Sequence, residues 1–325
     1  MIHTMRRCSH IVVMMAAMFV SADAVSDEYP TRPVRIITGA ASTFHDIVTR
    51  QLGQRLSERW RQPIVIDNRP GAGMTIAANI VARSATDGYT LLMADRTCIA
   101  AAPSLYKKLA YEPTRDLSPI TLVAKAPLML VAHPSVPASD LQYFIDYVRK
   151  SSGAFHYASA GPGTAVHMTG ELFRQLTGLN VTAVNYKGGG AATLAIVTGE
   201  VKAGFGSIPN VLPHVRAGKL KAYVVTSSNR FAGAPDIPTA QEQGLRGLES
   251  EQWLGMLAPA HTPLPIVGKI NRDIVELLKT AEIRTALHAL GAEPSPGTSA
   301  EFRAFIIDET LKLKKVIEFA GMSAE

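Results

Sequence analysis

Short apolar runs alternate with longer stretches of helical periodicity from about residue 34 onward. In the first third of the chain this pattern predicts strands at Val34–Thr38, Ile64–Ile66 and Thr90–Ala94. It also predicts helices over residues 46–60 and 75–83, the first with Asp46 as its N-cap. A β-α-β-α-β order of this kind is typical of a parallel sheet with helices on both faces.

The same alternation continues through a second block of the chain. A glycine-led helix is expected between the third and fourth strands of this block, and helices are expected over residues 139–150 and 165–176. The strands are predicted at Leu128–Ala132, His156–Ser159, Val181–Tyr186, Val201–Phe205 and Ala222–Thr226.

From about residue 228 the pattern becomes mainly helical. One strand is expected at Trp253–Leu257, and long helices are expected over residues 265–279 and 299–319. The sequence therefore predicts an α/β protein whose last part is dominated by helices.

No proline- or serine-rich linker separates the blocks, which favours two lobes joined by crossing strands over two independent domains. We place the crossings near residues 123–127 and 226–228. The first lobe then comprises residues 25–125 and returns as C-terminal helices in 228–325, while the second lobe comprises 126–227. Each lobe is predicted to be a mostly parallel sheet flanked by helices.

The N-terminus has the layout of a secretory signal peptide. Arg6 and Arg7 precede an apolar run at Ile11–Val20, which is too short to span a bilayer as a helix. The small residues around Asp23 predict cleavage after Ala24, so residues 1–24 are a predicted signal peptide. An uncleaved anchor is the alternative.

Charge and motif content exclude several classes of protein. The formal net charge is +6, but the basic residues are scattered and not interleaved with aromatics, so no nucleic-acid partner is predicted. The Walker A, G-x-S-x-G, H-E-x-x-H and paired C-x-x-C motifs are absent, and no histidine has metal-ligand spacing to another. Cys98 is the only cysteine after the signal peptide, so no internal disulfide is expected. We predict no metal, no cofactor and no catalytic residues.

Two strand–loop–helix segments are candidate anion sites. Residues 157–170 combine a strand, a glycine-bearing turn and a helix, and residues 34–50 have a similar order. Helix N-termini offer unpaired N–H groups and a positive dipole end to an anion. Two such loops facing each other across a cleft would suit the capture of a small acid.

Two further segments have open interpretations. Gly188–Gly190 after Lys187 could cradle a phosphate or simply form a tight turn into a helix. Asp95 and Arg96 follow the third strand at its carboxyl end, where open α/β sheets bind ligands. They could line a cleft or form a surface ion pair.

Sequence blocks spread over residues 29–322 carry a family resemblance. They include Asp67-Asn-Arg-Pro-Gly-Ala-Gly, Asp87-Gly-Tyr-Thr-Leu-Leu-Met, Tyr157-Ala-Ser-Ala-Gly-Pro-Gly-Thr and Leu290-Gly-Ala-Glu-Pro. Taken in order, these blocks resemble the Bug proteins, the periplasmic solute-binding receptors of tripartite tricarboxylate transporters.

The resemblance implies a two-lobed fold of the type II periplasmic-binding class that closes on its ligand like a Venus flytrap. It implies a small carboxylate as ligand, held largely by backbone amides and water, and a two-component membrane permease as partner. A monomeric, periplasmic transport protein is expected. The alternatives are a ligand-sensing module for a sensor kinase and, from another class, an exported hydrolase.

The family's binding positions can be carried over residue by residue. The first binding loop falls on residues 38–46, where Ser42-Thr43 replaces the family's glycine pair and Phe44-His45 adds bulk. The loop after the third strand has Asp95 and Arg96 where small residues are usual. The resemblance therefore implies these ligand-binding residues: Ala41, Ser42, Thr43, Phe44, Asp95, Arg96, Ser159, Gly163, Thr164, Ala165 and Ser207.

Overall fold

The computed structural model describes residues 29–41, 43–161 and 163–323. The predicted signal peptide at residues 1–24 lies outside these ranges, as does Ser42 of the predicted binding loop. Within the described ranges no helix has the length and apolar character needed to cross a bilayer.

The first part of the chain forms the predicted β-α-β-α-β unit. A π-helical turn at Thr97–Ala101 follows its third strand and runs directly into a short helix. The elements are β1 Val34–Thr38, α1 Phe44–Trp60, β2 Ile64–Asn68, α2 Thr75–Ala82, β3 Thr90–Asp95, α3 Ala102–Leu105 and α4 Pro113–Asp116.

A strand of 16 residues, β4 Leu117–Ala132, leads into the second part of the chain. Strands and helices then alternate as predicted. The elements are α5 Leu141–Lys150, β5 Phe155–Ser159, α6 Ala165–Thr177, β6 Val181–Asn185, α7 Gly189–Val197, β7 Ala203–Ser207, α8 Ile208–Arg216 and β8 Lys221–Val225.

The last part of the chain begins with a long strand and is otherwise mainly helical. A capping box formed by Thr298 and Glu301 opens its final helix, which Gly321 ends in a left-handed conformation. The elements are β9 Glu251–Pro259, α9 Leu264–Leu278, α10 Ala281–Ala289, β10 Glu293–Pro294 and α11 Ser299–Ala320.

Strand pairing divides the sheet into two halves that share β4. The strand order is β2-β1-β3-β9-β4-β7-β5-β6, with β8 and β10 also paired to β4. Residues 117–127 of β4 pair with β9, whereas residues 128–132 pair with β7 and β8. We call β1–β3, β9, β10 and residues 117–127 the first lobe's sheet, and β5–β8 with residues 128–132 the second lobe's sheet.

Each lobe combines parallel and antiparallel strands, and four of the nine pairings among the described strands are parallel. In the first lobe β1 is parallel to β2 and β3, and in the second lobe β5 is parallel to β6 and β7. The five antiparallel pairings are β4 against β7 and β8, β9 against β3 and β4, and β10 against β4. The carboxyl ends of β1 and β3 therefore lie at one edge of the first lobe's sheet.

Helices cover both faces of each sheet. In the first lobe Ile36 packs with α1, α9 and α10, while its neighbour Ile37 packs with α2 and α11 on the other face. In the second lobe α5 and α6 cover one face, and α7 and α8 cover the other. Because both faces of each sheet are buried, the strand sequences are nearly continuous runs of apolar residues.

Three local predictions were wrong. Residues 227–250 form turns around one isolated bridge, between Val225 and Thr239, and contain no helix. Helix α1 begins at Phe44, so Thr43 is the N-cap residue and Asp46 lies in the first turn. The strand expected at Leu128–Ala132 begins eleven residues earlier, at Leu117.

The predicted lobe boundaries stay a prediction. Phe231 and Leu248 lie in the 227–250 segment, and both pack in cores of the second lobe. These contacts favour a second crossing close to Ser250, later in the chain than the predicted 226–228.

Candidate functional site

A cavity of about 530 Å³ lies where the two lobes meet. The first lobe supplies segment 71–74 and the helical segment 97–106, and the second lobe supplies the loop between β5 and α6. The end of α11 completes the wall. The lining residues are Gly73, Thr97, Leu105, Tyr106, Gly163, Thr164, Gly321, Met322 and Ser323.

The loop between β5 and α6 is the part of the predicted site that lines the cavity, through Gly163 and Thr164. Gly161 and Gly163 have φ values of +114° and +73°, which residues with a side chain rarely adopt. Thr164 follows as the N-cap of α6. Its hydroxyl donates to the carbonyl of Gly161 (2.8 Å) and accepts from the N–H of His167 (3.3 Å).

This loop leaves two backbone donors at the start of α6. The N–H of Gly163 donates to Nδ1 of His167 at 3.2 Å, and the N–H of His167 is taken by Thr164. Among the described residues, the N–H groups of Ala165 and Val166 have no acceptor. The N-terminus of this 13-residue helix thus places these two amides and the positive end of its dipole beside the cavity.

His167 holds the loop in its neutral form. Burial lowers the pKa of His167, and the charge of Glu171 offsets this only in part. A protonated ring could not accept the Gly163 N–H, because both of its nitrogens would be donors. A histidine with a lowered pKa contributes stability that is present above its unfolded pKa, near 6.5, and is lost as the pH falls through the folded value.

We therefore expect affinity for an anionic ligand to fall as the pH drops below about 6.5, where simple carboxylic acids stay ionised down to about pH 5. In His167→Asn an amide oxygen can still accept a hydrogen bond but does not titrate in this range. Titrations at several pH values should show a shallower pH dependence for this variant. An equal slope in both proteins would contradict the role given to His167.

The side chains of the other predicted residues of the second lobe do not line the cavity. Ser159 is fully buried, and its hydroxyl accepts the N–H of Gly161 at 3.3 Å. Ala165 is buried, and Ser207 is the N-cap residue of α8 without a side-chain capping bond. Gly188 is the N-cap residue of α7 with φ +95°, and its N–H donates to the carbonyl of Tyr186. This geometry agrees with the interpretation of the three glycines as a tight turn that leads into a helix.

The predicted first binding loop adjoins the cavity wall without lining it. A side chain at Gly39 would meet Sδ of Met74, which places this loop against segment 71–74. Ala41 is exposed, Thr43 donates its hydroxyl to Ala40, and Phe44 packs against the first lobe's core. Contact of Ala41, Thr43 and Phe44 with a ligand stays a prediction.

Asp95 is positioned at the carboxyl end of β3. Its Oδ1 accepts the N–H groups of Thr97 and Cys98, each at 2.9 Å, and its Oδ2 lies 3.0 Å from Nε2 of His45. Burial would raise the pKa of Asp95, but these bonds and the charge of His45 hold it below its usual value. Asp95 is therefore an ionised carboxylate beside Thr97 of the cavity wall.

Arg96 points away from the surface. It is 3% exposed, its Nη1 donates to Ser250 at 2.9 Å, and its Nε lies 3.3 Å from Glu309 of α11. The surface ion pair considered for Arg96 is thus wrong, because the pair is buried. Direct contact with a ligand stays a prediction that these partners disfavour.

The contacts of Arg96 extend into the second lobe. The Ser250 hydroxyl that it contacts lies 2.5 Å from the hydroxyl of Thr169, a buried residue of α6. A buried chain of polar groups therefore joins β3, the start of β9 and the helix that caps the binding loop.

The sequence pattern alone did not indicate several cavity residues. Gly73 lies in one of the sequence blocks that carry the family resemblance. It lines the cavity because it packs closely against Thr97, whose methyl group would lie 2.9 Å from a Cβ added at Gly73. Tyr106 and Met322 come from segments that are distant in sequence. Within the described part of the chain no three histidine, cysteine or acidic side chains are grouped to hold a metal ion.

Comparison with known proteins agrees with this architecture. Residues 48–322 match the family model for the tripartite tricarboxylate transporter family receptor. The chain is 33% identical over 315 residues to protein BugT of Bordetella pertussis, an alignment that covers 96% of each chain.

Solved structures of similar sequence have the same fold. MatC of Rhodopseudomonas palustris, with bound malate, is 35% identical, with a TM-score of 0.73 over 89% of this chain and all of that one. Rpa4515 of R. palustris, with adipate, is 30% identical, with a TM-score of 0.77 over 91% and 99%. BugD, a periplasmic binding protein, is 31% identical, with a TM-score of 0.74 over 91% and 100%.

These matches confirm the predicted two-lobed periplasmic-binding fold. With the family model covering residues 48–322, the chain belongs to the Bug family of solute-binding receptors, the tripartite tricarboxylate transporter family receptors.

Proposed function

We propose that this receptor works in the periplasm, where it captures a small carboxylate between its lobes and delivers it to a two-component membrane permease. It acts by binding and closure and not as an enzyme. One ligand carboxylate accepts hydrogen bonds from the N–H groups of Ala165 and Val166, at the positive end of α6.

The observation that carries this proposal is a pair of helix N-terminal amides, without an acceptor among the described residues, beside a cavity lined by both lobes. Hydrogen bonds to an ionised carboxylate are about twice as strong as those between neutral groups. A ligand that contacts both lobes binds the closed form more tightly than the open form and so shifts the population towards closure. Malate and adipate, the ligands of two relatives, are carboxylates of this class.

Binding is tested by a thermal-shift screen of the exported protein after unfolding and refolding to remove any carried-over ligand. The panel contains mono-, di- and tricarboxylates, the corresponding amides and nicotinate. A ligand at 100 times its dissociation constant adds about 2.7 kcal/mol to the free energy of unfolding. Carboxylates should raise the melting temperature, whereas diamides, which carry no carboxylate, should not.

The Thr164→Val variant tests whether the ligand binds at the loop before α6. Valine removes both hydroxyl bonds that shape the loop, and we expect affinity for the best acid to fall about tenfold, the scale of one lost cap or hydrogen bond. Thr280→Val is the matched control. Thr280 caps α10, accepts from Ile283 and donates to Leu277 in the same pattern, but it lies outside the cavity lining.

Both variants should lose about 0.5–2 kcal/mol of stability, as a lost N-cap does. Only Thr164→Val should lose affinity. Equal affinity in the two variants would place the carboxylate elsewhere.

Delivery and export need separate tests. N-terminal sequencing of the periplasmic protein should begin at Val25 if the predicted cleavage after Ala24 is correct.

Uptake of the identified acid by intact cells should require both this receptor and a permease of the tripartite type. Uptake that persists without the permease, together with ligand-dependent transcription, would favour the sensor alternative.

A further inference from the structure

In the first lobe, the carboxylate of Asp95 lies at a sheet edge where a ligand anion would otherwise bind. β1 and β3 are parallel neighbours, so His45 after β1 and Asp95 at the end of β3 lie at the same edge of the sheet. Ligands of open α/β sheets bind outside this edge. Thr97, two residues after Asp95, lines the cavity between the lobes.

The side chain of Asp95 occupies the backbone donors at the start of the segment 97–105. The N–H groups of Thr97 and Cys98, at the start of the helical segment 97–105, both donate to Oδ1. An ionised carboxylate only accepts hydrogen bonds, so His45 donates to Oδ2. These amides are consequently not available to a ligand anion, unlike those of Ala165 and Val166 in the opposite lobe.

Asp95 adds negative charge at this edge, and its ionic partner among the described residues is His45. The adjacent Arg96 is buried and directed at Ser250 and Glu309. The Nε2 of His45 is already used by the Asp95 carboxylate. A ligand carboxylate entering beside Asp95 would meet its negative charge.

We propose that Asp95 is a specificity-determining residue that selects acids with one carboxylate and a neutral or positively charged far end. This inference rests on the proposed function, in which the single carboxylate binds at the start of α6. The far end then lies towards Asp95, where an amide N–H or an ammonium group can donate to the carboxylate. A second carboxylate is repelled there.

The test compares matched acids by titration calorimetry. The pairs are succinate with succinamate, glutarate with glutaramate, and adipate with adipamate, and 6-aminohexanoate supplies a cationic far end. In the unmodified protein, the monoamide of the best-fitting length should bind about tenfold more tightly than its dicarboxylate, as expected for a like-charge contact in a partly wet cleft.

Asp95→Asn removes the charge but keeps an oxygen that can cap Thr97 and Cys98. This variant should reduce the monoamide preference to within about twofold by removing the like-charge contact. Asp140→Asn is the matched control, because Asp140 caps α5 through Tyr143 at 3.0 Å and does not line the cavity. Its monoamide preference should equal that of the unmodified protein.

A dicarboxylate that binds the unmodified protein as tightly as its monoamide would overturn the inference while leaving carboxylate capture intact. An unchanged preference in a folded Asp95→Asn protein would overturn it as well. Binding of none of these acids, nor of any acid in the wider screen, would instead remove the proposed function on which the inference rests.

Discussion

Replacing Arg96 by leucine is expected to lower the free energy of unfolding by about 3–5 kcal/mol, the usual cost of removing one partner of a buried ion pair. Glu309, which lies 3.3 Å from Arg96, would be left as a largely buried carboxylate without its cation. Ser250 would lose its buried donor at the same time. Urea unfolding of the ligand-free protein measures the loss.

The attraction between Arg96 and Glu309 depends on their charges more than on hydrogen-bond geometry. Among the buried side-chain polar atoms that the structure describes, Nε of Arg96 has no aligned acceptor. Glu309→Gln should therefore recover part of the loss in the double variant with Arg96→Leu, because glutamine needs no counter-ion and still accepts from Trp253.

Arg149→Leu provides the surface comparison for this prediction. Its partner Asp146 is one turn away on α5, and both side chains are exposed. Loss of an exposed pair costs about 0–1 kcal/mol. If Arg96→Leu costs no more than Arg149→Leu, the buried network does not stabilise the junction of the lobes.

Phe302→Ala is expected to cost about 3–5 kcal/mol, because it removes a large buried ring and leaves a cavity. Phe302 lies on α11, is 1% exposed and packs edge-on against Trp253, with ring centroids 5.8 Å apart. The ring also rests on Gly255 of β9, where an added Cβ would lie 2.1 Å from it. This contact attaches the C-terminal helix to the first lobe.

A double-mutant cycle tests the fit between Phe302 and Gly255. Gly255→Ala alone should cost about 1–3 kcal/mol by overpacking. In the Phe302→Ala background the added methyl group enters vacated space, so its cost should largely disappear. Strict additivity of the two changes would contradict direct packing between these residues.

Phe319→Ala is the control on the same helix. Phe319 is 45% exposed and contacts the guanidinium of Arg174 at 4.4 Å from its ring centroid. Its truncation should cost less than about 1 kcal/mol, as for a single exposed cation–π contact. A loss as large as that of Phe302→Ala would show that burial does not explain the difference.

The sequence predicted the elements whose signals are local. The strand at Val34–Thr38 was predicted with its observed bounds, and the helix expected over residues 165–176 ends one residue later. Each has an apolar run or helical periodicity bounded by a glycine-rich turn or a capping residue. The glycine loop before α6 was also predictable, because its spacing identifies a strand, a turn and a helix start.

Features that depend on distant partners could not be predicted in this way. The burial of Arg96 is caused by Glu309, which is 213 residues away in sequence, and the bond of Asp95 to His45 spans 50 residues. The first half of β4 was missed because Pro119 and Lys125 interrupt its apolar run, and its pairing with β9 compensates for them. The turns at 227–250 similarly owe their form to packing against the second lobe.

The most direct measurement is a crystal structure of the refolded protein with the acid that gives the largest thermal shift. We expect closed lobes, with one ligand carboxylate within hydrogen-bonding distance of the N–H groups of Ala165 and Val166. We also expect the far end of the ligand on the side of Asp95 and Thr97. A carboxylate bound away from the start of α6, or a ligand contacting a single lobe, would rule out this binding mode.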